Sequence, residues 1–353
     1  MGVVSVGGME LEQARKLWQP EPGWLNTATY GLPPEPVWDA VQRVLADWRG
    51  GRVSFEVWDE SVDRSRAAFA RLTGVDAADV SIGSAVSQLV APIAASLPEG
   101  ATVVVPEVEF TSILFPWLVQ QERGVRVRTV PLAGLVDAID AGTDLVAFSV
   151  VQSADGVVAP YDEIVAAARA HGAVVVVDAT QACGWLPFAA DRADAVVVGA
   201  YKWLMAPRGA AFAYLAPELR ERIRPDAAGW FAGKDPHASY YGLPLRLADD
   251  ARRFDISPSW LCYVGAAPAL ELLADLDPEE VRAYDVGLAN RFLTGLGRPP
   301  GDSAIVSVDV PDAQERLARA GVRAAVRAGR VRASFHLYTT EEDVDRAVEA
   351  LTG

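Results

Sequence analysis

Short apolar runs recur along the middle of the chain, and stretches with helical spacing separate them. The runs lie at residues 103–106, 145–151, 173–179, 195–199 and 210–215. Continuous runs of β-branched residues are typical of strands covered on both faces, as in a mostly parallel sheet. Apolar residues at helical spacing predict helices at 35–48, 60–73, 84–97, 111–122 and 160–171. The alternation of strands and helices predicts a doubly wound α/β domain.

The pattern changes in the last part of the chain. A long helical pattern from about residue 263 to 297 ends at the sequence GRPPGD. Strand-like segments and an amphipathic helix follow, and RVRASF leads into a closing helix, EEDVDRAVEAL. We therefore expect a small α+β C-terminal domain. The predicted units are an N-terminal tail at 1–20 with its first eight residues flexible, a large domain at 21–260 whose start also contributes to the small one, and the small domain at 261–353.

Composition and charge narrow the possible partners. The 353-residue chain has a net charge of −15. Such a charge does not suit nucleic acid or an anionic membrane surface, and no apolar run reaches the roughly 20 residues of a membrane span. The start of the chain lacks a basic region followed by a long apolar one, so we expect no signal peptide. Two cysteines without a CxxC motif favour the cytoplasm, and three scattered histidines do not suggest a metal site.

Lysine is scarce in this chain. Lys16, Lys202 and Lys234 are the three lysines among 32 basic residues. An ammonium group can lose its proton and attack a carbonyl, whereas a guanidinium stays protonated at physiological pH. Lys202 comes soon after the predicted strand at 195–199, which leads to the hypothesis that its amine has a chemical role.

Polar residues after two neighbouring predicted strands indicate which chemistry that is. Asp178 follows four valines, Gln181 comes three residues later, and Lys202 follows the next strand. Ligands of doubly wound sheets bind at the carboxyl ends of the strands. Lysine forms a Schiff base with pyridoxal phosphate, and an aspartate keeps the pyridine nitrogen protonated. The alternatives are a turn residue for Asp178 and a surface lysine for Lys202.

The segment VDATQACGWLPFAADRADAVVVGAYKWLMAPRG at 177–209 resembles the core signature of the class V aminotransferases. This family of fold-type I pyridoxal-phosphate enzymes includes cysteine desulfurases and kynureninases, and the resemblance extends from about Trp24 to the C-terminus. It implies a mostly parallel mixed sheet between helices, a small C-terminal domain and a homodimer with shared active sites. It also implies that Lys202 carries the Schiff base and moves the Cα proton. Asp178 would pair with the pyridine nitrogen, and Gln181 would lie near the phenolic oxygen.

The resemblance also assigns a phosphate site. Ser84, Ala85 and Val86 lie where a strand gives way to a helix and correspond to the family's phosphate loop. Ala85 departs from the threonine that is common there, and Tyr201 can reach the phosphate instead, as in kynureninases. Without the family register, a Gly-Ser pair before a helix is usually an ordinary N-cap.

Three further cofactor contacts follow from the same register. Phe110 matches the position whose ring stacks on the cofactor, although a core residue is the alternative. Ser153 falls where the family often has an asparagine near the phenolic oxygen. Ser257 or Ser259 matches a hydroxyl that reaches the phosphate across the dimer interface.

Substrate contacts are implied as well. Arg332 matches the arginine that binds the substrate α-carboxylate through two parallel hydrogen bonds, a geometry that lysine cannot copy. Asn26 would reach the same pocket, and Trp230 would form a wall of it.

The reaction is less defined than the cofactor. No GxGxxG follows a strand and no P-loop motif is present, which disfavours a dinucleotide-dependent oxidoreductase. No cysteine follows Cys262, so a persulfide-forming desulfurase is not expected. Transamination is the family's broad default and our prediction. β-Elimination including C–S lysis, kynureninase-like hydrolysis, epimerisation and a catalytically silent cofactor-binding protein remain alternatives.

Overall fold

The computed structural model of the protein describes residues 9–53, 55–327 and 329–353, so the flexible tail predicted at residues 1–8 lies outside the described residues. The helices are α1 (Leu11–Ala14), α2 (Glu35–Arg49), α3 (Phe55–Thr73), α4 (Val86–Ala95), α5 (Thr111–Leu118), α6 (Leu135–Ala138), α7 (Tyr161–His171), α8 (Pro217–Arg220), α9 (Trp260–Ala274), α10 (Pro278–Gly295), α11 (Ala313–Arg319) and α12 (Glu341–Thr352). The strands are β1 (Val80–Gly83), β2 (Thr102–Pro106), β3 (Arg126–Val130), β4 (Leu145–Ser149), β5 (Val174–Asp178), β6 (Ala195–Gly199), β7 (Ala211–Leu215), β8 (Ile305–Val308), β9 (Ala325–Arg327) and β10 (Arg330–Ser334).

Seven strands form one mixed sheet in the order β1-β7-β6-β5-β4-β2-β3. Strand β7 runs antiparallel to both of its neighbours, and the other pairings are parallel. The central strands are buried on both faces because helices cover the sheet on both sides, which explains their unbroken apolar runs. This architecture confirms the predicted α/β class.

A second, antiparallel sheet has the order β8-β10-β9 and packs with α10, α11 and α12 around a core of its own. Leu25 of the N-terminal segment belongs to that core, in keeping with the predicted contribution of this segment. Helix α9 instead packs on α2 and α3. The exact domain boundary at residue 260 stays a prediction.

Two elements differ from the sequence-based expectation. Strand β3 was not predicted, and it carries polar residues because it lies at the edge of the sheet. The helical pattern at 263–297 is two helices, since Asp277 caps α10 by accepting hydrogen bonds from the next residues' N–H groups. Within the predicted tail at 1–20, α1 is helical and Trp18 is buried, and the boundary of the tail stays a prediction.

Within the described part of the chain, the helices are too short or too polar to cross a membrane.

Candidate active site

A cavity of about 240 Å³ opens at the carboxyl ends of the parallel strands. Residues at or just after the ends of β1, β2, β4, β5 and β6 line it, as expected for the ligand site of a doubly wound sheet. The predicted site residues among its lining are Ser84, Ala85, Val86, Phe110, Ser153, Asp178, Gln181, Tyr201 and Lys202. The predicted residues outside its lining are Asn26, Trp230, Ser257 and Arg332.

Lys202 is a buried amine that lacks a partner. The residue is 5 % exposed, and its Nζ makes no hydrogen bond or ion pair with any residue that the structure describes. Nζ lies 5.4 Å from the centre of the Phe110 ring and 5.8 Å from that of Tyr201. Burial lowers the pKa of Lys202 to about 8, although the nearby Asp178 carboxylate acts in the opposite direction. Such an amine gives up its proton near neutral pH far more readily than a surface lysine does.

Asp178 ends β5 and is held by the residue two positions later. Its Oδ1 accepts a hydrogen bond of 2.8 Å from the N–H of Thr180. The hydroxyl oxygen of Thr180 accepts a second bond, of 2.9 Å, from the N–H of Gly199 at the end of β6. Burial raises the pKa of Asp178, and the hydrogen bonds with Thr180 and then the charge of Lys202 oppose that rise. Thr180 thus links the ends of the two strands that carry the acid and the amine.

The N-terminal segment packs directly on the backbone of Lys202. The N–H of Gly31 donates to the carbonyl of Tyr201 at 3.0 Å. A Cβ atom at Gly31 would lie 1.9 Å from the carbonyl oxygen of Lys202, so this close approach requires glycine.

A buried pair from the C-terminal part of the chain supports the next residue. His336 and Asp285 are fully buried, and the His336 ring nitrogens lie 2.8 Å from Asp285 Oδ2 and 3.0 Å from the carbonyl oxygen of Trp203. The ring therefore bridges the Asp285 side chain and the backbone of Trp203. The indole N–H of Trp203 donates in turn to Gln181 Oε1 at 2.9 Å. The peptide after the lysine is therefore fixed on two sides.

Phe110 precedes α5, and its side chain is 45 % exposed. Because it lines the cavity, it is not a core residue. The residue before it, Glu109, is a buried carboxylate that sequence reasoning missed, and it accepts a hydrogen bond from the N–H of Phe110 at 3.1 Å. Glu109 accepts hydrogen bonds from Ser149 N–H and Oγ at 2.7 and 2.6 Å, and from Gln152 Nε2 at 2.7 Å. The available sequence signal was an acidic residue directly before the exposed aromatic ring.

Helix α4 begins at the cavity, which Ser84, Ala85 and Val86 line. The N–H of Ser84 donates to Gln88 Oε1 at 3.1 Å, but no described side chain caps the helix at Ala85. The backbone N–H groups of a first turn are a ready site for an anion. Arg208, which was not predicted, lines the same cavity, and its guanidinium carbon lies 4.9 Å from the centre of the Tyr201 ring.

Gln181 lines the cavity with its amide already engaged. Its Nε2 donates to the carbonyl of Ala28 at 3.0 Å and to Ser153 Oγ at 3.1 Å. The predicted approach of Gln181 to the cofactor's phenolic oxygen therefore stays a prediction, and so does that of Ser153.

Arg332 lies one layer behind the cavity wall. It is 1 % exposed and donates to the carbonyl and hydroxyl oxygens of Ser153 and, at 2.9 Å, to Thr29 Oγ1. Burial and the neighbouring Arg327 lower its pKa to about 10. Among the described residues no carboxylate pairs with this guanidinium. Asn26 pairs with the same strand, and its buried Oδ1 lacks a described hydrogen-bond partner.

The other two predicted residues lie away from the cavity of this chain. Trp230 packs in an aromatic cluster with Tyr240 and Trp260, and Ser257 is exposed. Their predicted roles would require a second copy of the chain, so both stay predictions.

The strand-end lysine and aspartate line one cavity, and comparisons with known proteins agree with that arrangement. The sequence pattern of the aminotransferase class-V family matches residues 26–316. The chain belongs to this family. The predictions of family, fold and enzyme class, and of pyridoxal phosphate as the family's cofactor, are thereby confirmed.

The proteins that this chain resembles differ in their stated activities. The chain is 28 % identical to isopenicillin N epimerase of Streptomyces clavuligerus, over 99 % of this chain and 100 % of that protein. It is 26 % identical to the uncharacterized aminotransferase YcbU of Bacillus subtilis (strain 168), over 83 % and 85 % of the two chains. The solved structure of the cystine C–S lyase C-DES with its product, cysteine persulfide, has a TM-score of 0.83 at 22 % identity and covers 94 % and 97 %.

Proposed function

We propose that this class V protein is a pyridoxal-phosphate-dependent enzyme that acts at Cα of an amino acid, and that its reaction is transamination. The single observation that carries the proposal is the Lys202 amine. It is buried, it has no hydrogen-bond or ion-pair partner among the described residues, and its pKa is lowered to about 8. A charged amine in such a position costs free energy unless a ligand uses it. A reactive lysine in a strand-end cavity therefore fits a carbonyl ligand better than a structural role.

The lining residues fit each part of the cofactor. When bound, pyridoxal phosphate supplies an aldehyde for the amine and a ring that takes up electrons from Cα. Asp178 would hold the protonated ring nitrogen, whose positive charge also compensates this buried carboxylate. Phe110 offers an exposed ring face for stacking, and the uncapped start of α4 offers N–H groups for the phosphate.

The carboxylate of an amino-acid substrate would balance the positive charge of the Arg332 guanidinium. A buried guanidinium without a described counter-ion favours an anionic ligand, and a carboxylate matches its planar fork. The orphaned Oδ1 atom of Asn26 offers a further polar contact nearby. Ser153 connects this place to the cavity, because it lines the cavity and accepts from Arg332.

The number of cavity groups that could remove the Cα proton favours transamination. Lys202 is the one amine among the described lining residues, and burial raises the pKa of the lining Tyr201 hydroxyl. A single base that removes a proton and returns it to a neighbouring carbon suffices for transamination. Epimerisation by two bases requires a proton donor on the opposite face.

Epimerisation is nevertheless the second candidate, because the similarity to isopenicillin N epimerase runs over the full length of both chains. C–S lysis and kynureninase-like hydrolysis also begin with removal of the Cα proton, and the same residues would serve that step. A persulfide mechanism has less support. Neither Cys183 nor Cys262 lines the cavity, and burial raises the pKa of the Cys183 thiol to about 12.

A homodimer is part of the proposal. Large apolar side chains are exposed on α2, at Trp38 and Trp48, and in a loop, at Tyr241 and Leu243. Such surfaces mark interaction sites in ordinary soluble proteins. A second copy would also give Ser257 and Trp230 a cavity to reach. A cytoplasmic location stays a prediction.

The test is a panel of amino acids with the purified, cofactor-loaded protein in D₂O. Transamination yields a keto acid in proportion to the amino acid consumed, with the amino group retained on the protein until a second keto acid is added. Deuterated enantiomer without keto acid would show epimerisation, and sulfide with ammonia would show C–S lysis. A visible band that no amino acid alters would identify a silent cofactor-binding protein. Failure to form the band at all would overturn the proposal.

A further inference from the structure

The cavity contains one cation that the reaction proposed above does not use. Arg208 follows Pro207 in the loop after Lys202, is exposed, and lines the cavity together with Ser84, Ala85 and Val86. Its guanidinium forms no ion pair or hydrogen bond within the described ranges. In a chain with a net charge of −15, an arginine beside a cavity without an acidic partner is available for an anionic ligand.

The backbone of Arg208 is held on both sides. Its N–H donates to the hydroxyl oxygen of Tyr30 at 3.3 Å, and its carbonyl oxygen accepts from Cys262 Sγ at 3.2 Å. Gly209 has a φ of +123°, and a Cβ there would lie 2.7 Å from the same sulfur. The loop can therefore approach α9 closely only with glycine at this position.

The side chain is oriented by an aromatic ring. The guanidinium carbon stands 4.9 Å from the centre of the Tyr201 ring, a distance typical of an arginine stacked on an aromatic face. The same ring lies 5.8 Å from Lys202 Nζ. The planar donor fork of Arg208 is thus held at the cavity by the same ring that contacts the Lys202 amine.

The start of α4, which lines the same cavity, supplies only neutral donors. Helix α4 has ten residues and begins at Val86 without a side-chain cap, and Ala85 has no hydroxyl to add. The N–H of Ser84 is already used by Gln88. A phosphate carries a charge of about −1.5 to −2 near neutral pH, which neutral N–H groups balance only in part.

We propose that Arg208 binds the cofactor's phosphate together with the start of α4, an assignment that rests on the proposed function. Arginine meets phosphate oxygens through two parallel hydrogen bonds, so one side chain supplies both charge and direction. Arg208 compensates here for the hydroxyl that Ala85 lacks.

The test compares two ligands that differ by the phosphate alone. Pyridoxal phosphate and pyridoxal are titrated into the apo-protein, and the visible band formed at Lys202 reports equilibrium binding. For Arg208→Gln we expect pyridoxal phosphate to bind roughly tenfold to a hundredfold more weakly, with pyridoxal binding unchanged. Arg208→Lys, which retains the charge but loses the fork, should fall between the wild type and Arg208→Gln.

The matched control is Arg222→Gln, which removes one exposed arginine outside the cavity lining and should bind both ligands like the wild type. Equal weakening of both ligands by Arg208→Gln, or no weakening of either, would overturn the assignment to the phosphate. In both cases the wild-type band would persist, so the proposed function would stand. If the wild type formed no band with either ligand, the proposed function itself would fail.

Discussion

Two places in this protein bury charged side chains, and they differ in what balances the charge. Arg66 and Asp255 are 6 % and 1 % exposed and lie 2.7 Å apart from Nη2 to Oδ2. Asp255 Oδ1 also accepts from the N–H of Ile82 at 2.8 Å, so the chain supplies the partners. In the cavity, Lys202 is buried to the same degree, but no described residue pairs with its amine. A buried charge paired within the chain serves the fold, whereas one left unpaired indicates a ligand.

The largest expected effect is on turnover at the unpaired site. Lys202→Met keeps the volume of the side chain and removes the amine. We expect amino-acid turnover to fall by roughly 10⁴-fold, because a positioned acid–base at Cα is lost. The visible band of the bound cofactor should disappear as well, as absorption spectra would show.

The control is Lys234→Met, since Lys234 is exposed and paired with Asp249 at the surface. Turnover by Lys202→Met close to that of the wild type would place the amine outside the reaction.

The next largest effect is on stability at the paired site. Asp255→Asn leaves the Arg66 guanidinium buried without a counter-ion. We expect the free energy of unfolding to fall by about 3–5 kcal/mol, as measured by urea titration of the apo-protein. Asp249→Asn, which breaks the exposed pair with Lys234, should leave the free energy of unfolding almost unchanged, because solvent screens that pair. Equal costs for the two variants would remove the distinction between buried and exposed pairs.

The unpaired site should also make stability depend on pH. The pKa of Lys202 is lowered from 10.5 to about 8 in the folded chain, so between these values the unfolded chain binds more protons. Stability contributed by Lys202 therefore rises with pH, by about 2 kcal/mol from about pH 7 to about pH 9.5.

Urea titrations of apo wild type and Lys202→Met at both pH values isolate this contribution as a difference of differences. Subtraction is needed because buried tyrosines such as Tyr161 titrate at higher pH. A difference between the two proteins that stays constant with pH would show that the amine is not destabilised by burial.

The smallest effect concerns the uncapped helix start. Ala85→Ser adds a hydroxyl at the N-cap of α4, a position that is exposed and extended in its backbone. We expect the free energy of unfolding of the apo-protein to rise by about 1 kcal/mol. Ala91→Ser, inside the same helix, is the control and should not stabilise it. A loss of stability in Ala85→Ser would mean that the first turn is not short of an acceptor.

The placement of site residues could be predicted where it depends on the ends of neighbouring parallel strands. Asp178 and Lys202 follow neighbouring parallel strands, and parallel strands bring their carboxyl ends to one edge. Their proximity therefore follows from the apolar runs and the chain order alone. The fold was predictable for the same reason, except at β3, where the segment is polar because it lies at the edge of the sheet.

Other parts of the site depend on contacts that sequence does not encode locally. Glu109 is held by Ser149 and Gln152, forty or more residues away, and the backbone of Arg208 by Tyr30 and by Cys262 of α9. Their residue types are ordinary for loops. Arg332 was predicted from family register alone, and its position behind Ser153 became visible only in three dimensions.

Thr180 has a consequence for how the acid and the amine are spaced. Its N–H donates to Asp178 Oδ1 and its hydroxyl accepts from the N–H of Gly199, so the ends of β5 and β6 are joined without an ion pair between Asp178 and Lys202. The amine takes no part in this link. We therefore expect the spacing of the two strand ends to be insensitive to whether Lys202 carries a proton.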